Sequence, residues 1–347
     1  MSEPLHTAES DAGLTDEDAS SVLFWEAAQK RPKPDTRIED LVARLTKPQR
    51  EDRVRELMRE ADHIYLRAID QHVLRDRRAL AASVLLFSGG NDSTVLAHLF
   101  KDRATHAGHA NTTIGIEKTR EFVRNVCEEW GMPLLERTSK DEKDSYRALV
   151  LAHGFPGPGH HFKMFQRLKE RAIDQMQREL IENPYRQRVV YLAGRRRSES
   201  QRRQGIPEAE RNRSKVWVSP LVNWTKLDLT TYRTMQAAEG DPVPVNEVSD
   251  LIHMSGECLC GSFAAPGERA ELDYWFGAEL GLIRELEAEL QHPAYGHIPA
   301  HRKTWGWGAD PKLKALDGPP SKTGPLCSSC DDRFQAAFDL DFGKAAS

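Results

Sequence analysis

The chain has 347 residues, with 49 Lys and Arg against 53 Asp and Glu, for a net charge of −4. That balance gives no global basic field to gather nucleic acid, and no apolar run approaches the ~20 residues that span a bilayer. The five cysteines are an odd count and the N-terminus is acidic and polar; the expectation is a cytosolic protein whose cysteines are thiols or metal ligands, not disulfides.

Residues 1–35 read as an acidic arm, disordered over Met1–Ser21, where Ser, Asp, Glu and Gly dominate. Residues 36–80 form a helical extension. Ile38, Leu41, Val42 and Leu45, then Val54, Leu57, Met58, Ala61, Ile64, Tyr65 and Ala68, recur at three and four residues, and Pro48 separates two helices. A partner-binding arm is the other use of such a stripe.

Residues 81–240 follow a strand–helix alternation. The apolar run Val84–Phe87 reads as a buried strand, and it stops at Ser88-Gly89-Gly90-Asn91-Asp92-Ser93 before a helix over Thr94–Lys101. Glycines allow backbone angles that let several N–H groups converge, and the helix start adds its own N–H groups and dipole. An anion cradle results, with Ser88 and Ser93 as hydroxyl donors. Asp92 would repel a phosphate, so it either holds Mg²⁺ or caps the helix. A plain strand-to-helix turn, with Asp92 or Ser93 as N-cap, is the bland alternative.

Further strands are expected at Thr105–Asn111, Met132–Leu135, Arg188–Ala193 and Val216–Ser219. Helices are expected at Lys118–Trp130, Asp144–His153 and Phe162–Ile181, with a loop at Gly154–Gly159. The fold class is therefore α/β, a doubly wound parallel sheet. Ligands of such sheets sit beyond the strand carboxyl ends. The Ser88 loop, Asn111–Gly115 and Gly194 onward all lie there. Gly194-Arg195-Arg196-Arg197-Ser198-Glu199-Ser200, with Arg202 and Arg203 after it, leaves the fourth strand directly. Arginine forks suit phosphate, and Glu199 can hold one of them. A solvated basic loop or a nucleic-acid patch is the plain alternative.

Ser-Gly-Gly-x-Asp-Ser after an apolar strand resembles the pyrophosphate loop of the adenine-nucleotide alpha-hydrolase superfamily, and its phosphoadenosine phosphosulfate reductase branch in particular. Gly194-x-Arg196-x-x-Glu199-Ser200 and Val218–Asp228 are similar to further segments of that family. Asn111, Thr112 and Thr113 stand where the family lines its adenosine pocket, although Asn replaces the usual Asp. The resemblance covers most of Ser83–Cys330. It implies that Mg-ATP or an adenylyl sulfate binds at Ser88, Gly89, Gly90, Asn91, Asp92 and Ser93, with Asn111, Thr112, Thr113, Gly194, Arg196, Glu199 and Ser200 around it.

Residues 241–347 form a cysteine-bearing C-terminal region. Cys258-x-Cys260 and Cys327-x-x-Cys330 are two close pairs, and four thiolates suit Zn²⁺ or a [4Fe–4S] cluster. Cluster-bearing family members have a near-adjacent cysteine pair, an insertion, then Cys-x-x-Cys, so the resemblance favours the cluster with zinc second. The reductases also need a cysteine on the C-terminal tail as nucleophile, and none follows Cys330. Cys127 lies on a helix's apolar face and reads as core. His160 and His161 read as loop residues, and His292, His297 and His301 as candidates for the substrate entrance.

These features point to an ATP-using enzyme that adenylates an acceptor and releases pyrophosphate in the service of sulfur transfer. In this the loop plus a cluster resembles the ATP pyrophosphatase component of DNA phosphorothioation systems and the cluster-dependent tRNA thiolases. Asp92 would hold Mg²⁺, and Arg196 and Arg203 would neutralise the phosphates. The partners expected are a small-molecule nucleotide and a nucleic-acid or sulfur-donor protein, with no membrane. The rivals are reduction of an adenylyl sulfate to sulfite, and a non-catalytic nucleic-acid or partner-binding module.

Overall fold

The structure, a computed structural model, describes residues 37–307 except 140–141, 158–159, 200–202, 204, 253, 263 and 265–266; of Arg37 and Phe162 only the backbone is described. The expected N-terminal arm, Ser200, Cys327 and Cys330 lie outside these residues.

Helices α1 (Arg37–Ala43) and α2 (Lys47–Ile69) lead into β1 (Ala79–Leu86). Then come α3 (Asn91–Phe100), β2 (His106–Ala110), α4 (Glu117–Glu129) and β3 (Leu134–Arg137). Next are α5 (Tyr146–His153), α6 (His161–Phe165), a π turn (Gln166–Glu170) and α7 (Arg171–Leu180). The sheet is completed by β4 (Gln187–Leu192), β5 (Ala209–Asn212) and β6 (Lys215–Val218). Helices α8 (Lys226–Glu239), α9 (Glu247–Ile252), α10 (Glu268–Phe276) and α11 (Gly281–Glu289) follow.

The strand order is β3-β2-β1-β4-β6-β5, parallel except for the β5 edge. The chain winds outward from β1 to β3, then crosses back to β4. The order therefore reverses between β1 and β4, where a doubly wound sheet opens its crevice.

Strand residues alternate between two cores, as the period of two requires. Leu85, Phe87, Val190, Leu192, Val216 and Val218 pack with α2, α3, α4 and α8. Ala82, Val84, Val189 and Tyr191 pack on the opposite face with Ile173 of α7. The α2 stripe is the predicted one: Val54, Leu57, Ala61, Ile64, Tyr65 and Ala68 are all buried. Tyr65 also reaches the buried Ser83 hydroxyl of β1 at 2.7 Å. A third core joins Ile114 and Ile116 to α5, α10, α11 and Trp305.

Several expectations shift. Helix α3 begins at Asn91, not Thr94, because Gly90 already has the extended backbone of an N-cap (φ −78, ψ 161). The long helix over 162–181 is interrupted by its π turn. The third strand sits two residues later than expected. The hairpin strand β5 was not expected at all; its sequence Ala-Glu-Arg-Asn is largely exposed and carries no apolar alternation. No helix among the described residues is long and apolar enough to cross a membrane.

Candidate functional site

The glycine loop leaves β1 at the reversal of strand order. Gly89 takes φ +76, and its carbonyl accepts from Asn246 Nδ2 at 2.8 Å and Ser249 Oγ at 3.1 Å. A Cβ there would stand 2.8 Å from Thr119 Cγ2. Gly89→Ala is therefore expected to cost about 2–3 kcal/mol, combining a left-handed backbone with overpacking, as urea denaturation would measure.

The Gly90 carbonyl accepts the Thr94 N–H and the Ser93 and Thr94 hydroxyls, each at 2.9 Å. With Gly90 as cap, neither Asp92 nor Ser93 caps the helix, so that reading falls. The N–H groups of Asn91, Asp92 and Ser93 precede the first intrahelical bond and have no partner within α3. Ser88 and Ser93 hydroxyls lie 3.1 Å apart.

Asp92 stands in the first turn, and its Oδ2 accepts from Arg196 Nε at 2.7 Å. Gly194 makes this approach possible, since a Cβ there would meet the Asp92 carbonyl at 3.1 Å and the Ser93 nitrogen at 3.2 Å. Arg196 is 4 % exposed. Burial works against its charge, but Asp92, Glu199 and Glu39 outweigh burial and hold the guanidinium firmly charged. Glu39 comes from α1, and burial pushes its carboxyl up against the opposing pull of Ser198, Arg196 and Lys226.

The arginine run divides its targets. Arg195 reaches Ser219 and Glu210 and lies over the Trp217 ring. Arg197 bonds the Ile206 carbonyl and Asn223. Arg203 pairs with Glu199.

These groups open onto a cleft of ≈ 1370 Å³. Ser88, Gly90, Asn91, Asp92, Ser93, Gly194, Arg196, Glu199 and Arg203 all line it. So does one face of α8, with Lys226, Leu229, Thr230, Arg233, Thr234 and Ala237 at intervals of three and four. Arg233 donates to Asn91 Oδ1 at 3.2 Å, and burial lowers its affinity for its proton against Asp250 and Asp92. Sequence reasoning missed Arg233, yet the polar stripe Lys226, Thr230, Arg233, Thr234 was readable as one helix face. Lys169 lines the cleft from the π turn.

Asn111, Thr112 and Thr113 stand at the end of β2 but do not line the cleft. Asn111 donates to Glu136. Thr112 is fully buried and gives its N–H to Glu257 Oε1 at 2.8 Å. Thr113 is exposed with φ 65. Glu257, also missed, is the hub of this region. Its Oε2 lies 3.0 Å from His109 Nε2 and 3.6 Å from Arg120 Nε, and His109 Nδ1 lies 2.7 Å from the Phe87 carbonyl. Both ring nitrogens face acceptors, so each link needs a proton. This buried cluster ties the cysteine-bearing segment to β1 and β2.

Cys258 is half-buried and Cys260 buried. Tyr146 donates to the Cys260 carbonyl at 3.0 Å, and Trp305 Nε1 to the Leu259 carbonyl at 2.8 Å. A hydrogen bond from Cys258 holds Cys260 below the usual thiol range despite burial, with His161 and Ser262 adding to it. That bond and burial push Cys258 up. His161 thus belongs to the start of α6 and to the thiol pair, not to a solvated loop. The two thiols are half of a four-thiolate set, and the described residues hold no group of three or more potential ligands. Cys327 and Cys330 fall outside them. His292, His297 and His301 are exposed and stand away from the cleft lining.

Residues 82–243 match a family model described as the phosphoadenosine phosphosulfate reductase domain. No curated protein matches the chain. Among solved structures it is similar to a phosphoadenylyl-sulfate reductase from Candida auris in a phosphate complex, at 19% identity over 55% of this chain and 84% of that one, with a TM-score of 0.39. It is also similar to the FMN adenylyltransferase of Candida glabrata, at 10% identity over 67% and 66%, TM-score 0.39. A U34-tRNA thiolase from Methanococcus maripaludis with its [4Fe-4S] cluster aligns at 15% identity over 69% and 79%, TM-score 0.33.

Proposed function

Residues 82–243 match the phosphoadenosine phosphosulfate reductase domain, and from that match we propose that the chain is an ATP-using enzyme that adenylates an acceptor, releases pyrophosphate and serves sulfur transfer. The observation that carries this reading is the Asp92 carboxylate, set in the glycine loop at the β1/β4 reversal and gripped by Arg196 at the mouth of a nucleotide-sized cleft.

The loop and the first N–H groups of α3 bind the β and γ phosphates. Asp92 turns one oxygen to Arg196 and offers the other to Mg²⁺. Arg196 positions Asp92 through its Nε, and with Arg203 it lines the cleft, where both would neutralise the phosphates. Arg233, Arg195 and Lys226 take up the charge that develops on departing pyrophosphate. Addition of Mg-ATP and acceptor is expected to release pyrophosphate in a coupled assay; its absence with every nucleic-acid and thiol acceptor tried would remove this reading.

Sulfur transfer is the finer part. We place Cys258, Cys260, Cys327 and Cys330 as ligands of one [4Fe–4S] cluster, with Zn²⁺ as second choice. When bound, such a group would supply a sulfur-binding centre. Anaerobic purification is expected to yield iron and acid-labile sulfide in equal amounts, and Cys258→Ser to lose most of both; a colourless zinc protein would overturn the cluster. Reduction of an adenylyl sulfate would need a reactive thiol outside this set. Cys127 is buried, and burial pushes its thiol up to about 12, which disfavours the thiolate a reductase needs; thioredoxin-driven sulfite release would favour this second reading.

A further inference from the structure

Helix α6 and its π turn form a wall between two cavities. Phe165 and Lys169 face the cleft, whereas Lys163, Met164 and Arg167 line a second cavity of ≈ 300 Å³. His153, His160 and Arg302 also line it, so five side chains that carry or can take positive charge converge there, with no carboxylate among the described lining residues. Nothing in the nucleotide reading uses them.

The walls are built rather than incidental. Gly154 takes φ +77, and a Cβ there would stand 2.8 Å from both Arg302 and Ile298. The Phe155 N–H donates to the Arg302 carbonyl at 2.7 Å, and Trp307 Nε1 donates to the Phe155 carbonyl at 2.7 Å. These bonds fix the backbone that carries Arg302. Its Nε is buried without a hydrogen-bond partner. His160 Nδ1 accepts the Gly157 N–H at 3.3 Å, so in the neutral ring Nε2 carries the proton and is a donor.

Charge crowding points the same way. Burial first, then Arg302, Lys163 and Arg167, depress the affinity of His153 for a proton; burial, Arg302 and Lys163 do the same at His160. Asp144 answers Arg167 at 3.0 Å, but it is shared with Arg171. Two guanidinium groups, an ammonium group and two imidazoles converging on one concave space offer N–H donors and positive charge that attract an anion. Arginine and imidazole N–H donors are the groups that chelate tetrahedral oxyanions.

We infer that this cavity binds a phosphate- or sulfate-class oxyanion, either a free ion or the phosphate of a larger substrate, separately from the nucleotide cleft.

The test is calorimetry on the full chain, with the cleft saturated by the non-hydrolysable ATP analogue AMP-CPP, titrated with inorganic phosphate and with inorganic sulfate. Both are expected to bind, and Arg302→Gln and Lys163→Gln each to weaken binding about tenfold or more, a loss of roughly one charge-assisted bond. AMP-CPP affinity should be unchanged in both variants. Lys163 is exposed, so K163Q keeps its fold and decides the matter if R302Q does not. Competition by a short single-stranded oligonucleotide would assign the site to a phosphodiester; no competition would assign it to a free ion. No heat in the unsubstituted protein, or heat that survives both substitutions, overturns the inference. If AMP-CPP itself fails to bind while the anion response follows Lys163 and Arg302, the nucleotide reading falls and this one stands.

Discussion

Asp92→Ala is expected to abolish Mg-ATP binding at micromolar nucleotide and to reduce pyrophosphate release by at least about 10²-fold, the scale of losing one preorganised electrostatic group. Two effects act together. The carboxylate that would hold Mg²⁺ disappears, and Arg196, 4 % exposed, keeps its charge while losing its 2.7 Å partner. An uncompensated buried cation is among the costliest defects a fold can carry, about 3–5 kcal/mol for a fully buried pair, with less expected here because the Asp92 side chain is 23% exposed. Asp92→Asn separates the two effects. Its amide oxygen can still accept from Arg196 Nε, so stability should largely return, whereas Mg²⁺ binding should not. Equal nucleotide affinity in Asp92→Ala and the unsubstituted protein, read by calorimetry, would remove the proposed site.

The second large effect lies in α10. Glu271 is 0% exposed and neither carboxyl oxygen has a hydrogen-bond partner among the described residues. Burial raises its pKa from 4.5 to about 7. The folded protein therefore keeps a proton that the unfolded chain releases. The resulting stability is fully present below about pH 4.5 and is lost as pH rises through about 7. The change across that window is about 3 kcal/mol for this one group. Glu271→Gln should flatten that step and leave the protein more stable than the original at pH 8, as urea midpoints at pH 5 and pH 8 would show. An identical pH slope in the variant would mean that Glu271 is paired in solution.

The cradle was legible because it is local: two glycines, a carboxylate and a helix start within six residues need nothing from elsewhere. The α2 stripe was legible for the same reason. The arginine run was legible as charge but not as function, because the three side chains leave β4 in different directions. Arg196 turns to Asp92, Arg195 to Trp217 and Arg197 to Asn223. No spacing rule distinguishes them without the sheet. Strand β5 escaped because an exposed antiparallel edge needs no apolar alternation. His109 and Glu257 could not be foreseen: each is an ordinary polar residue in sequence, and only folding brings them within 3.0 Å in a buried cluster. The adenosine-pocket assignment at Asn111–Thr113 was made by register with the family; here the Asn111 side chain donates to Glu136, and Thr112 gives its backbone N–H to Glu257.

The Gly89 carbonyl is pinned by Asn246 and Ser249, and Ser255 packs 3.1 Å from where a Gly90 Cβ would be. All three lie downstream of the matched stretch, which stops at residue 243. The segment recognisable by pedigree is thus shorter than the smallest fragment able to hold its own glycine turn in shape. A truncation ending at Val243 would expose that peptide oxygen to solvent and strip the turn of its rear support, even with every residue of the signature intact.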